Sequence, residues 1–163
     1  MRPLFTWPLF TIQALAPSAY YDAPMPGNAP HKLTEVLAER DEIAVAYLFG
    51  STARGDSSHL SDIDVGVLLA NGPGNLLRYR ARLSEDLSRA MEGTPVEVVL
   101  LADAPPALAA KAIREGRLLL CRDDATRVRF EFHTLRRDFD TAPLRRMYDQ
   151  TLAAAIREGR FFG

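Results

Sequence analysis

The segment from Gly50 to Val67 constrains this chain more than any other: Gly50-Ser51-Thr52-Ala53-Arg54-Gly55, five further residues, then Ser61-Asp62-Ile63-Asp64-Val65. The apolar residues Ile63, Val65, Val67 and Leu68, with their β-branched alternation, predict a strand. Side chains of a strand alternate between faces, so Asp62 and Asp64 project together while Ile63 and Val65 turn to the core. Two carboxylates side by side repel each other unless a divalent cation or a proton neutralises them. Hard oxygen ligands of this kind suit Mg²⁺, which binds through a few carboxylates plus substrate phosphates. Upstream, Ile43 to Phe49 is a second expected strand, and Gly50-Ser51 follows it directly. A Gly-Ser turn entering a helix offers backbone N–H groups and a hydroxyl to a phosphate. The turn is not a P-loop, because no Gly-Lys-Ser/Thr follows at the required distance. The plainer alternative is a polar turn leading to an edge strand with two solvent-facing aspartates.

The run G-S-T-A-R-G-x5-S-D-I-D-V resembles the signature of minimal nucleotidyltransferases in the DNA polymerase β superfamily, most closely the MntA-type adenylyltransferase antitoxins. The resemblance covers roughly Leu33 to Ile156 and implies an α+β fold, a small mixed β-sheet backed by helices. It implies that Gly50 and Ser51 hold the triphosphate of ATP, with Arg54 and Ser61 as further nucleotide-binding residues. Arg54 has a second expectation, pairing with Asp56. Asp62 and Asp64, with a third carboxylate from a later strand, would bind two Mg²⁺ ions. Pro95-Val96-Glu97-Val98-Val99-Leu100-Leu101 supplies that strand, and Glu97 is its sole charged residue. A lone carboxylate in so apolar a strand is costly to bury without metal, proton or hydrogen bonds. Its other reading is an edge-strand Glu facing water. The family usually places Asp here; the extra methylene of Glu can still reach a metal, with a looser geometry than two-metal chemistry needs.

The function implied is transfer of AMP from ATP to a hydroxyl, a tyrosine of a HEPN-type ribonuclease toxin encoded nearby, which the chain would thereby neutralise. Two alternatives stand beside it. One is a catalytically weak antitoxin that acts by binding; the other is a small-molecule nucleotidyltransferase of the aminoglycoside type. Arg127 and His133, like Arg54 and His59, fit the short Arg-x4-6-His pattern of HEPN ribonucleases. In a chain with so many arginines such matches arise by chance, and a HEPN domain is all-helical. His31, His59 and His133 are too scattered for a zinc site.

With 163 residues, 47% of them apolar, the chain has enough for one core. A formal net charge of -1 gives no global case for nucleic-acid binding. Residues 1–30 carry scattered prolines and aromatics without a period, and the expectation is a poorly ordered extension preceding a domain over 31–163. Pro3, Pro8 and Gln13 interrupt the apolar segment that would otherwise imitate a signal peptide. No stretch is long and apolar enough to span a membrane. Cys121 is expected to be a buried core thiol, and a single cysteine is compatible with a cytoplasmic protein.

Helices are expected over His31–Arg40, with Asn28 as a possible cap, and over Asn75–Met91. In the latter, Leu76, Leu83, Leu87 and Ala90 face inward, and Arg78, Arg82, Glu85 and Arg89 outward. A short helix from Pro105-Pro106 to Glu115, stopped by Gly116, precedes a strand over Arg117–Cys121. The remainder is expected to be helical with a break near Thr141-Ala142-Pro143. Its residues Val128, Phe132, Leu135, Phe139, Leu144, Tyr148 and Leu152 are expected to pack on the sheet.

Overall fold

The structure, a computed structural model, describes residues 29–50 and 62–157. Its elements run α1 (Ala29–Ala38), β1 (Ile43–Phe49), β2 (Ile63–Leu69), α2 (Leu76–Ala90), β3 (Val96–Leu100), α3 (Pro106–Glu115), β4 (Arg117–Cys121) and α4 (Asp124–Arg157). The strands form one sheet in the order β3-β2-β1-β4. β1 runs antiparallel to both β2 and β4, whereas β2 and β3 are parallel, as the intervening crossover helix α2 requires. This is the expected α+β arrangement of a small mixed sheet with helices.

Both faces of the sheet are covered, which is why β1 is buried at every position. One face packs Leu48, Val65, Val67 and Val98 against Leu33 and Leu37 of α1 and Leu83 and Leu87 of α2. The other packs Tyr47, Phe49, Leu68 and Leu101 against Ala109 and Ala112 of α3 and Phe130 of α4. Asn75 caps α2, its side chain accepting a hydrogen bond from the Arg78 amide at 2.8 Å.

Five expectations are corrected. The helix expected from His31 begins at Ala29, inside the segment read as an extension, while Asn28 lies outside the described residues. Leu76 is exposed, because the first turn of α2 overhangs the edge strand β3. Cys121 is exposed: it ends β4, an edge strand that is only partly covered. The break expected at Pro143 is absent, and α4 runs through it for 34 residues. The proline removes the hydrogen bond to the Phe139 carbonyl, but side chains brace the turn on either side. Thr141 Oγ1 donates to the Arg137 carbonyl at 2.8 Å, and Arg145 donates to Thr141 Oγ1 at 2.7 Å and to Asp138 Oδ1 at 2.6 Å.

The largest departure concerns the apolar residues of α4. Val128, Phe132, Phe139, Leu144, Tyr148 and Leu152 are exposed rather than packed on the sheet. Polar groups join Phe130 in holding the helix. Tyr47 Oη donates to Glu131 at 2.6 Å, and Arg114 of α3 donates to the buried Asp138 at 2.8 Å. A helix of this length reaches about 50 Å, far beyond α3, so its second half has no sheet beneath it.

Candidate active site

The parallel pairing of β2 with β3 brings the expected carboxylates together, setting Asp64 directly beside Glu97 in the register. Paired positions share a face, so both side chains emerge on the α3 side of the sheet, at the end where β1 finishes. Asp64 is half-buried and Glu97 exposed. Asp62 lies just before β2 and is also exposed. Ser51, Arg54 and Ser61 lie outside the described residues.

Gly50 stands at the head of this arrangement, after β1 and beside Asp64. Its φ is 81°, in the left-handed region that L side chains seldom occupy. A Cβ placed there would lie 2.0 Å from Asp64 Oδ2. Glycine is therefore needed twice, for the backbone turn and for close approach to the carboxylate. The sequence reading assigned Gly50 to the triphosphate; its contact with Asp64 is a further reason for glycine that the sequence did not show.

Burial pushes the Asp64 carboxyl above the usual carboxylate range, and the neighbouring Glu97 charge pushes it further; Lys111 opposes this and Asp62 adds to it. Lys111, on α3, was absent from the sequence-derived site. The signal was its rarity: Lys32 and Lys111 are the two lysines of the chain, against eighteen arginines. Among the described residues no three Asp, Glu, His or Cys side chains form a closed ligand set. The donor chemistry nonetheless fits a divalent cation, because oxygen ligands raise one another's proton affinity here and a cation would reverse that.

On the outer side of Glu97 opens a cavity of about 380 Å³, lined chiefly by Leu76, Leu77, Arg80, Val99, Leu100 and Leu108. Glu97 thus borders both the carboxylate pair and this cavity.

Residues 31–125 match the family model described as Polymerase beta, Nucleotidyltransferase. The chain belongs to this family. Its similarity to Protein adenylyltransferase MntA of Shewanella oneidensis is 30% identity over 90 residues, covering 55% of this chain and 63% of that protein. The chain thus matches less than two thirds of that relative's length. Among solved structures, a chain from a toxin–antitoxin crystal structure with AMP-PNP superposes with a TM-score of 0.64 at 25% identity, covering 76% of this chain and 98% of the other. A chain from the complex of tri-AMPylated Shewanella oneidensis HEPN toxin with MNT antitoxin gives a TM-score of 0.59 at 23% identity, covering 76% and 96%. The latter likeness is one of fold. In this polymerase β nucleotidyltransferase, Gly50, Asp64 and Glu97 occupy three successive places across one end of the sheet, just after β1, on β2 and on β3.

Proposed function

We propose that residues 31–163 form a cytoplasmic adenylyltransferase that moves AMP from ATP to a tyrosine hydroxyl of a HEPN-type toxin and so acts as its antitoxin. The observation that carries the reading is the Asp64–Glu97 pair with Gly50 closed against Asp64. The likeness to a protein adenylyltransferase and to a toxin–antitoxin chain crystallised with AMP-PNP supports the substrate and the partner.

In the proposed reaction the acceptor oxygen forms a bond to the α-phosphorus of ATP. The bond from that phosphorus to pyrophosphate breaks, and the hydroxyl proton leaves to solvent. Gly50 and Ser51 receive the phosphates, with Arg54 and Ser61 in support. Asp64, held in place by its contact with Gly50, fixes the position of the reacting phosphate. Two Mg²⁺ ions held by Asp62, Asp64 and Glu97 would supply charge neutralisation at the triphosphate and a lowered pKa for the attacking hydroxyl. No covalent enzyme intermediate is required.

A second reading is favoured by one observation: Glu97 is exposed on an edge strand, without a closed ligand set among the described residues. It holds that the chain neutralises its toxin by contact alone. Labelled ATP, Mg²⁺ and the product of the adjacent gene separate the two. Label transfer that disappears in Asp62→Ala and Asp64→Ala supports the enzyme; toxin neutralisation that survives both substitutions refutes it.

A further inference from the structure

The outer edge of β3 carries N–H groups that no other described residue uses. The Ile63 amide donates to the Pro95 carbonyl at 3.0 Å, and the Leu101 amide donates to Val67 at 2.9 Å. In a parallel ladder the backbone groups of alternate residues point to opposite sides, so Val96, Val98 and Leu100 turn theirs away from β2. The groups of Val96 are taken by α2: its N–H donates to Ser88 Oγ at 2.9 Å, and its carbonyl accepts from Ser84 Oγ. The Leu100 carbonyl accepts from the Asp103 amide at 3.2 Å. The N–H groups of Val98 and Leu100 meet no acceptor among the described residues.

The same edge floors the cavity that Glu97 borders. Its walls are mostly apolar, with Arg80, Glu97 and Asp103 among them, and include Leu77, which is 70% exposed at the start of α2. Arg80 stands at the Glu97 end and makes no ion pair among the described residues. The position of the cavity matters most. Gly50 follows β1, Asp64 lies on β2 and the cavity lies along β3, so a nucleotide held at the Gly50 turn would have Asp64 between it and the cavity. In the proposed reaction a group seated in the cavity would approach from the side away from the nucleotide.

We propose that this cleft is the acceptor subsite: it takes a short extended segment of the acceptor polypeptide along the β3 edge, an apolar side chain against Leu77 and Leu108, with the hydroxyl delivered to Glu97. Three features select a polypeptide. Unused N–H groups on an edge strand are met by peptide carbonyls, as in strand addition. The walls suit apolar side chains, and about 380 Å³ holds one aromatic side chain with its neighbours. The inference rests on the nucleotidyl-transfer reading above.

Two measurements on the intact chain test it, both using the adjacent-gene HEPN-type protein as acceptor. In steady-state AMP transfer, Leu77→Asp is expected to raise the acceptor KM about tenfold or more by putting a charge where apolar surface is buried. The ATP KM should change less than twofold, and Leu77→Met should restore the acceptor KM. By hydrogen exchange, adding the acceptor without ATP is expected to slow exchange of the Val98 and Leu100 amides. Transfer with an unchanged acceptor KM in Leu77→Asp and no added protection overturns the cleft and leaves the reaction standing. Protection without any AMP transfer supports the cleft and refutes the reaction. Neither protection nor transfer overturns both, and self-labelling on a tyrosine of residues 1–28 in place of the added protein overturns the assigned occupant.

Discussion

Replacing Gly50 by alanine isolates the contact on which the site is built. The backbone at φ 81° admits an L side chain at a cost of about 1–2 kcal/mol. For a domain of this size that lowers Tm by roughly 3–10 °C. The larger consequence is local. The new Cβ would begin 2.0 Å from Asp64 Oδ2, whereas ordinary carbon–oxygen contact is about 3.4 Å, so the carboxylate must retreat by about 1.4 Å. Misplacing a reacting group by about 1 Å costs on the order of a hundredfold in rate. Gly50→Ala is therefore expected to stay folded by circular dichroism and to lose about two orders of magnitude in kcat for AMP transfer, measured with radiolabelled ATP at saturating acceptor. A variant with kcat within threefold of the parent would refute the argument that Gly50 positions Asp64.

Asp64→Asn should raise Tm while cutting transfer at least a hundredfold, since it removes a charge disfavoured by burial and by Glu97; a thermal melt beside the transfer assay checks both signs. At Asp138, burial alone would raise the pKa, but hydrogen bonds from Arg114 and Arg145 hold it below the usual range. Its stabilising contribution is then full above about pH 4 and is lost as pH falls through the lowered folded value. Acid titration of Asp138→Asn against the parent should show the two Tm curves converging at low pH. Pro143→Ala restores a donor to the Phe139 carbonyl, and hydrogen exchange should show greater protection across the second half of α4. Tm should scarcely move, because the apolar residues there are exposed.

The central sheet was legible because β1, β2 and β3 are short apolar runs bounded by turn residues, and burial on both faces leaves such runs little alternative. The candidate site was legible for a local reason: Asp64 sits in one apolar strand, with Asp62 just before that strand rather than inside it as expected, and Glu97 is the single charge in another. What joins Asp64 to Glu97 is not local. It depends on α2 crossing over so that β2 and β3 run parallel, a pairing that no spacing in the sequence states. Lys111 was missed for the same reason, since α3 approaches Asp64 only through tertiary packing. The tail misled because aromatic and aliphatic residues at helical spacing look alike whether they cover a sheet or remain exposed. Cys121 illustrates the converse: an apolar run before it suggests burial, but the final residue of an edge strand extends past its cover.

The two plain readings of Glu97, an edge-strand residue facing water and a member of a carboxylate site, are compatible in this fold, because Glu97 is exposed on β3 and lies beside Asp64. Asp64 sits on an inner strand with Gly50 against it, so its position is dictated by packing on both sides. Glu97 sits about 4.8 Å away across the pair, on a strand with nothing beyond it. A longer side chain at that edge spans the gap between a fixed carboxylate and an open cleft, which a buried inner position would not permit. In the proposed reaction the asymmetry would divide the work: Asp64 would be the rigid member that sets where the phosphate lies, and Glu97 the adjustable member that meets what comes from outside. An edge strand is ordinarily a liability, blunted by charge and by covering groups. Here Ser84 and Ser88 cover the Val96 end and Asp103 the Leu100 carbonyl, leaving open among the described residues the stretch between them that borders Glu97.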